Sequence, residues 1–168
     1  MAIPGTPSMD QIYDCPAKTV LICVDGSSNA LEAFQYFTNN FRQSDSNVII
    51  FHASDQVKIP AFVPGGGVGF MPESLMAAYD EIELHNKRLK EKYEKLCSDI
   101  GLNHQVIIDE DIKKGPGAAI INAAKKNNAK LIVIGTRGLG TIRRTILGSV
   151  SHYVLHHSSV PVLICPSG

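Results

Sequence analysis

The segment from Lys130 to Ser151, KLIVIGTRGLGTIRRTILGSVS, decides the fold of this chain. It opens with the apolar run Leu131 to Ile134, whose mostly β-branched composition is typical of a strand buried on both faces. The run ends at Gly135, and a helical pattern of apolar residues has taken over by Gly148. The segment therefore predicts a strand, a loop that contains glycines, and a helix.

This succession of strand, loop and helix favours the binding of an anion. Glycines let backbone N–H groups approach a ligand with no side chain in between, and a helix N-terminus adds unpaired N–H groups and a partial positive charge. Together these features form a phosphate site. Ser149 and Ser151 can add hydroxyl donors, and Arg137, Arg143 and Arg144 place three cations in the same segment.

Two familiar phosphate motifs do not fit this segment. Gly135 and Gly140 have the spacing of a Walker A loop, but Thr141 stands where the lysine should be. Gly138 and Gly140 begin a dinucleotide-binding fingerprint, but Arg143 replaces its third glycine. The triple glycine at 65–67 also lacks a following lysine, and we interpret it as part of a loop.

Composition indicates a globular domain without a strong charge bias. The 168 residues are 44% hydrophobic, and 16 basic residues balance 16 acidic ones. This balance argues against nucleic-acid and membrane-surface partners, and no apolar run approaches the ~20 residues that span a bilayer. The four cysteines form no CxxC pair, which favours free thiols in the cytoplasm. We expect residues 1–17 to form a flexible tail without a secretory signal, and 18–168 a single domain.

Apolar runs and helical patterns alternate along the whole chain. The predicted strands are Lys18 to Val24, Asn47 to Ala53, His104 to Ile108, Leu131 to Ile134 and Val160 to Cys165. The predicted helices begin after Ser27 or Ser28, at Pro72, at Gly115-Pro116-Gly117 and near Gly148. Buried strands that alternate with helices imply a parallel sheet covered by helices on both faces.

Two of the predicted helices carry a marked apolar face. The first presents Ala30, Phe34, Phe37 and Phe41. The long second helix presents Leu75, Tyr79, Ile82, Leu89, Tyr93 and Leu96, with Asn86 in the middle of the stripe. Four of these positions repeat every seven residues, which permits a coiled coil, but we favour a helix that covers the sheet. Gly101 is the predicted cap at its end.

The positions of ligand-type residues predict the order of the strands. In open parallel sheets, ligands bind beyond the carboxyl ends of the strands, at the point where the strand order reverses. Asp25 follows the first strand, and the segment from Gly135 to Gly148, which we call the glycine loop, follows the fourth. If both face one ligand, the first and fourth strands are neighbours. The hypothesis is an open five-stranded parallel sheet of order 3-2-1-4-5.

Asp25 and the histidines of the last helix each have two interpretations. Asp25 can accept hydrogen bonds from ribose hydroxyls or can cap the following helix, and its position beside the glycine loop favours the ribose. His152 and His156 have a spacing that could clamp a metal, but no third ligand stands near them, so we interpret them as surface residues. We predict no catalytic residue and no metal ligand.

The pattern of glycine, two residues, glycine, nine residues and Gly-Ser, at positions 135, 138, 148 and 149, resembles the nucleotide-binding motif of the universal stress protein family. The stretches LIVIGTRGLG, ILGSVS and VPVLIC are also similar to that family, and the likeness extends over roughly 18–166. The resemblance implies a Rossmann-like fold of the adenine nucleotide alpha hydrolase type. It also implies ATP binding, with or without Mg²⁺, a homodimer formed through the last strand, and a role in stress responses.

The resemblance further implies which residues bind the nucleotide. Val24 and Ala53 match positions at the adenine pocket, and Asp25 matches the residue near the ribose. Ala53 is smaller than the valine expected at its position, which implies a looser fit to the adenine. With Ile134 and Arg137 included, the full set of residues predicted to bind the nucleotide is Val24, Asp25, Ala53, Ile134, Gly135, Arg137, Gly138, Gly148, Ser149, Val150 and Ser151.

The leading interpretation is a small ATP-binding regulatory protein with at most slow ATP hydrolysis. One alternative is an enzyme of a related fold, although DGSSNA replaces the SGGxDS of adenylating ligases and no HxGH of nucleotidylyl transferases is present. A second is an electron-transfer flavoprotein-like subunit that binds AMP or a flavin. A third is an interaction module whose nucleotide site is vestigial.

Overall fold

A computed structural model describes residues 18–56, 73–136 and 147–166 of the protein. Strands and helices alternate along these residues. The strands are β1 (Thr19–Cys23), β2 (Asn47–Ala53), β3 (His104–Asp109), β4 (Leu131–Gly135) and β5 (Val162–Cys165). The helices are α1 (Ser28–Asn40), α2 (Glu73–Asp99), α3 (Pro116–Lys126) and α4 (Ser149–His157). The predicted tail, residues 1–17, lies outside the described residues.

The five strands form one parallel sheet in the order β3-β2-β1-β4-β5. This order confirms the predicted arrangement 3-2-1-4-5. β1 lies at the centre, where Ile22 is flanked by Ile50 of β2 and Val133 of β4. The chain fills one side of the sheet up to β3 and then crosses to β4, so the strand order reverses between β1 and β4. The carboxyl ends of these two strands therefore lie next to each other, where ligands of such sheets bind.

Successive residues of the strands enter two hydrophobic layers, one on each face of the sheet. On one face, Ile22 and Ile50 share a core with Phe34 and Phe37 of α1 and Tyr93 of α2. On the opposite face, the remaining strand residues pack against α3 and α4. Helices on both faces confirm the predicted layers, and burial on both faces explains why the strands are continuous apolar runs.

Two helix ends follow local rules that are visible in the sequence. Ser27 is the N-cap of α1, and its Oγ accepts a hydrogen bond from the N–H of Ala30 at 3.2 Å. Gly101, after the end of α2, has a φ of 61°, the left-handed conformation typical of a C-terminal cap. The N–H of Leu102 donates to the carbonyl of Cys97 at 2.9 Å and closes the last turn. The predicted cap at Gly101 is confirmed, and Ser27 is the one of the two serines after which the first helix begins.

The predicted burial of Phe41 is wrong. Helix α1 ends at Asn40, and Phe41 is its C-cap with a φ of −125°, so its side chain leaves the helical face and is 48% exposed. The core position on this helix belongs instead to Ala33, which is fully buried. Its small side chain lets α1 lie close to the sheet.

Strand boundaries differ from the prediction by one or two residues. β1 includes neither Lys18 nor Val24, β3 continues to Asp109, and β5 begins at Val162 rather than at Val160. The late start of β5 has a simple cause, because Pro161 has no N–H to donate to the ladder. It still accepts a hydrogen bond through its carbonyl, from the N–H of Ile132 at 3.0 Å.

The long helix α2 covers the sheet with its C-terminal half. Leu89 and Tyr93 are buried there, whereas Tyr79, nearer the N-terminus, is 39% exposed. At about 1.5 Å per residue, the 27 residues of α2 span far more than the seven residues of β2, so its N-terminal half extends past the carboxyl edge of the sheet. The predicted sheet-covering helix is confirmed for the C-terminal half. Among the described helices, α2 included, none has the length and apolarity needed to cross a membrane.

Candidate functional site

The carboxyl ends of β1, β2 and β4 meet at one edge of the sheet. Asp25 follows β1, Ala53 ends β2 and Gly135 ends β4. The fold therefore brings together three separate places at which the sequence predicts ligand-binding residues. Two further predicted residues, Arg137 and Gly138, lie outside the described residues.

Asp25 is oriented by the turn that leads into α1. Its Oδ1 accepts hydrogen bonds from the N–H of Ser27 at 3.1 Å and from the hydroxyl of Ser27 at 2.6 Å. Capping of α1 is thus performed by Ser27 and not by Asp25. The second oxygen, Oδ2, takes part in no hydrogen bond among the described residues. Asp25 is only partly buried, so it offers a ligand a pre-oriented acceptor.

The two ends of the glycine loop are joined at its base. The N–H of Gly148 donates to the carbonyl of Thr136 at 2.7 Å, so α4 begins beside the end of β4. Gly148 occupies the N-cap position of α4, and no side-chain hydrogen bond caps this end of the helix. The first N–H groups of a helix have no partner within the helix, and they add to its partial positive charge. The start of α4 therefore has the properties of an anion site at the same edge as Asp25.

Ser151 has a structural role that the sequence did not predict. Its side chain is buried, and its hydroxyl donates to the carbonyl of Gly135 at 2.8 Å. A serine hydroxyl carries one hydrogen, so in this arrangement Ser151 can accept a hydrogen bond from a ligand but cannot donate one. Ser149 is exposed and Val150 is half-buried. Ser149 is therefore the exposed hydroxyl at the start of α4.

The residues predicted to line an adenine pocket differ in what they can offer. Val24 and Ile134 are 5% and 6% exposed, and their side chains pack in the two opposite hydrophobic layers. They can contribute backbone groups to a pocket, but their side chains belong to the core. Ala53 is half-buried and has an accessible side chain at the end of β2.

His52 supports the end of β1, a contact that the sequence did not predict. Its Nδ1 lies 2.8 Å from the carbonyl oxygen of Val24. A carbonyl can only accept, so we assign the hydrogen to Nδ1. The imidazole is 5% exposed. This hydrogen bond fixes the peptide group that directly precedes Asp25, and His52 therefore helps to place the carboxylate.

The environment of His52 keeps its imidazole neutral. Burial is the largest cause and lowers the pKa of His52 below 6.5, and the nearby His85 also lowers it. The hydrogen bond to Val24 and the carboxylates of Asp55 and Asp25 act in the opposite direction without cancelling the effect of burial. Protonation of His52 is therefore harder in the folded chain than in the unfolded chain.

Acidification from about pH 7.5 to about pH 5 should destabilise the fold through His52. The unfolded histidine takes up its proton near pH 6.5, and the folded one only at lower pH. The unfolded state then holds more protons, so the stability is complete above pH ~6.5 and falls as the pH drops below it, by at most about 1.4 kcal/mol per pH unit for one group. Urea unfolding at both pH values measures this change.

The variant His52→Asn tests the assignment of this pH dependence. Asparagine keeps an N–H donor close to the position of Nδ1 but does not titrate, so its unfolding free energy should vary less with pH than that of the wild type. His156→Asn, at an exposed position of α4, is the matched control and should keep the wild-type pH dependence. Identical pH dependence in the wild type and in His52→Asn would assign the effect to another group.

Three cysteines of the described residues are buried, and their thiols are free, as the sequence predicts: Cys23, Cys97 and Cys165. Burial, followed by the charge of Asp25, raises the pKa of Cys23 far above its ordinary value. Burial also raises the pKa of Cys165, and it raises that of Cys97 to about 11. Although Cys23 ends β1 at the edge of the site, it is a core residue and not a nucleophile.

The histidines of α4 do not belong to a metal cluster in the described part of the chain. The rings of His152 and His156 lie 4.4 Å apart between their centroids on an exposed face. Within 18–56, 73–136 and 147–166, no three or more histidine, cysteine, aspartate or glutamate side chains are grouped to hold a metal ion.

Comparison with protein families matches the chain over most of its length. The family model described as the universal stress protein family covers residues 16–166. The chain belongs to this family. A universal stress protein from Thermus aquaticus is 32% identical over 149 residues, which cover 88% of this chain and 97% of the relative. The universal stress protein YxiE of Bacillus subtilis is 26% identical over 146 residues, which cover 86% and 96% of the two chains.

Solved structures of universal stress proteins share the fold described above. An Arabidopsis thaliana protein of the family with AMP bound has a TM-score of 0.63 and 19% identity, over 90% of this chain and 92% of that chain. A universal stress protein in complex with cAMP has a TM-score of 0.57 and 21% identity, over 92% of this chain and all of that chain. Some structural neighbours of this universal stress protein therefore bind adenine nucleotides.

Proposed function

We propose that the protein binds ATP, alone or as its Mg²⁺ complex, and acts as a nucleotide-dependent regulator in stress responses. The observation that carries this proposal is the position of Asp25 beside the N-terminus of α4, at neighbouring ends of β1 and β4. A carboxylate acceptor suits ribose hydroxyls, and a helix N-terminus suits phosphates. The AMP and cAMP bound by structural neighbours support an adenine base.

Each part of the nucleotide has a proposed place along this edge. The ribose lies at Asp25, and the adenine lies between the end of β1 and Ala53 at the end of β2. The phosphates lie at the glycine loop and the first turn of α4, where Ser149 supplies an exposed hydroxyl. The residues that complete the proposed site are Val24, Ile134, Gly135, Arg137, Gly138, Gly148, Val150 and Ser151.

We expect at most slow ATP hydrolysis by the isolated protein. Fast phosphoryl transfer needs a positioned water, a held metal ion and stabilisation of the charge that develops. The glycine loop lacks a Walker lysine, and Asp25 is the only carboxylate that we place at the site, where the ribose occupies it. The proposed role is therefore that of a binding protein, and a partner that supplies a missing group would increase turnover.

We propose a homodimer formed through β5, which lies at one edge of the sheet, and a cytoplasmic protein whose partners are neither nucleic acids nor membranes. The equal numbers of basic and acidic residues support the choice of partners.

Identification of the natural ligand tests the proposed function directly. Small molecules released by acid from the purified protein are identified by mass spectrometry, and calorimetry then measures the binding of ATP, AMP and cAMP to the emptied protein. We expect an adenine nucleotide in the first experiment and tighter binding of ATP than of the monophosphates in the second. A protein that carries no adenine nucleotide and binds none of the three would contradict the proposal.

Asp25→Asn should weaken ATP binding about fivefold, because a hydrogen bond to a charged acceptor is worth about 1 kcal/mol more than one to a neutral acceptor. Asparagine keeps an Oδ1 that can accept from Ser27, so the turn into α1 should persist. Inorganic triphosphate has no ribose, and its binding should change much less. Calorimetry with both ligands measures the two effects.

Asp55→Asn is the charge-matched control for this substitution. Asp55 is exposed beyond the end of β2, and the variant removes the same charge without touching the proposed ribose contact. Its affinity for ATP should remain close to that of the wild type. An equal loss of ATP and triphosphate in Asp25→Asn would assign Asp25 a general electrostatic or structural role.

A further inference from the structure

Helix α2 contributes two polar residues to the edge of the sheet where we place the nucleotide. The buried stripe of this helix begins at Asn86 and continues through Leu89, Tyr93 and Cys97. His85 directly precedes Asn86, at the point where α2 passes the carboxyl ends of β1 and β2. Neither polar residue is among those that the sequence predicts to bind a ligand.

The imidazole of His85 lies directly against Gly26, the residue that follows Asp25. A Cβ atom placed on Gly26 would lie 3.1 Å from Cε1 and 3.5 Å from Nε2 of His85. Gly26 has a φ of 84°, a conformation that glycine adopts readily and other residues rarely. The ring centroid of His85 lies 5.8 Å from that of His52. His85 is thus held against the chain segment that presents the Asp25 carboxylate.

Asn86 anchors α2 in this position. Its Nδ2 donates to the Oγ of Ser54 at 2.8 Å, immediately after the end of β2. Asn86 is only 7% exposed, and its Oδ1 is buried without a hydrogen-bond partner in the described part of the chain. A buried amide among apolar residues lowers stability unless it is paired, so the bond to Ser54 favours one rotation and one height of α2. Consecutive helical residues point about 100° apart, which separates His85 from the direction of Asn86.

The chemistry of His85 matches that of a ribose. The residue is exposed, so its ring is accessible to a ligand. The ring nitrogens of an imidazole can take part in hydrogen bonds with hydroxyl groups, and each ribose hydroxyl can both donate and accept. Oδ2 of Asp25 can accept from one hydroxyl and has no hydrogen-bond partner among the described residues. His85 lies against Gly26, the residue that follows Asp25, and is therefore placed to make a second interaction with the same sugar.

We propose that His85 binds the ribose of the nucleotide from the side of α2, and that His85 and Asp25 together recognise its hydroxyls. This inference rests on the proposed function and goes beyond it. It gives α2 a direct part in the site, in addition to the carboxyl ends of the strands. It also gives the hydrogen bond between Asn86 and Ser54 the role of positioning His85.

The test compares His85→Ala with the wild type by calorimetry, using ATP, adenosine and inorganic triphosphate. We expect ATP and adenosine to bind about threefold to tenfold more weakly to the variant, as for the loss of one hydrogen bond, and triphosphate to bind equally well. His85→Gln retains a donor and an acceptor and should recover part of the loss. His156→Ala, an exposed position of α4, is the matched control and should bind like the wild type.

Deoxynucleotides identify the sugar as the contact. If His85 binds a ribose hydroxyl, either 2′-deoxy-ATP or 3′-deoxy-ATP should bind equally well to the wild type and to His85→Ala, because the interaction has already been lost. A similar loss for ATP and for both deoxynucleotides would assign the contact to the base and overturn the ribose assignment. Thermal unfolding of His85→Ala checks that the fold is retained.

The outcomes separate this inference from the proposed function. If the wild type binds ATP and His85→Ala binds it equally well, the inference is wrong and the proposed function stands. If triphosphate binding falls as much as ATP binding, His85 does not act on the ribose. If the wild type binds no adenine nucleotide, the proposed function fails and this inference fails with it.

Discussion

Binding of ATP should fall at least tenfold, about 1.4 kcal/mol or more, in the variant Gly148→Val. The branched side chain would stand at the start of α4, where we propose that backbone N–H groups meet the phosphates. Gly148 has φ −62° and ψ 154°, a conformation that valine adopts without strain. The loss would therefore report a blocked approach of the ligand rather than a distorted backbone. Calorimetry with ATP measures it, and it should be larger than that of Asp25→Asn.

Gly148→Ala provides the graded control for this effect. A single methyl group at the same backbone angles should reduce ATP binding less than the valine side chain does. Thermal unfolding should show both variants folded, since the hydrogen bond from the N–H of Gly148 to Thr136 uses the backbone alone. Wild-type affinity in Gly148→Val would show that the phosphates bind elsewhere.

The variant Val162→Lys should be a monomer at concentrations where the wild type is a dimer. β5 is an edge strand of the sheet, and Val162, Leu163 and Ile164 are only half-buried in the single chain. An exposed apolar edge is normally covered or paired, and a symmetric pairing of β5 with its copy would cover it. A lysine there brings like charges together across the two-fold axis, and we expect the dimer to dissociate at least tenfold more readily, about 1.4 kcal/mol. Sedimentation velocity measures the assembly state.

The opposite edge of the sheet supplies the matched control. Gln105 is an exposed residue of the edge strand β3, and Gln105→Lys adds the same charge to an edge that we do not place in the dimer. This variant should assemble like the wild type. A wild type that sediments as a monomer at micromolar concentrations would contradict the proposed dimer.

The strand order could be predicted because it follows from chemistry as well as from hydrophobic patterns. Five apolar runs separated by helical segments limit the fold to a parallel sheet, but they leave the order of its strands open. The hypothesis that Asp25 and the glycine loop face the same ligand makes the first and fourth strands neighbours. The register of Val20, Leu21 and Ile22 against residues of β4 confirms this neighbourhood.

The burial of residues that lie beyond the edge of the sheet could not be predicted in the same way. The apolar spacing of α2 continues through Tyr79, although the N-terminal half of the helix has passed the end of the strands. Periodicity identifies the face of a helix that is apolar, but it contains no information about how far the neighbouring layer extends. Phe41 shows the same limit at the end of α1, because it keeps the spacing of the buried face after the helix has ended.

The candidate site was predictable in its loops and less so in its supporting contacts. Asp25 and the glycine loop directly follow strands, and the type of each residue is enough to predict the chemistry that it can perform there. The contact of His85 with Gly26 depends on the height at which α2 crosses the sheet, which the hydrogen bond between Asn86 and Ser54 helps to set. The donation from Ser151 to Gly135 depends on the angle between α4 and β4. Such contacts arise between elements far apart in the chain, so local patterns do not reveal them.

The hydrogen bond from Gly148 to Thr136 has a consequence for how the glycine loop can evolve. It closes the loop at its base, and the bond from Ser151 to Gly135 reinforces that closure. The entropy lost on closing a loop rises only with the logarithm of its length, so three additional residues in this loop would cost about 0.2 kcal/mol. The stability of the fold would therefore change little with the length of this loop. Selection on the nine-residue interval between Gly138 and Gly148 would have to act through the phosphates that we propose to bind at this loop.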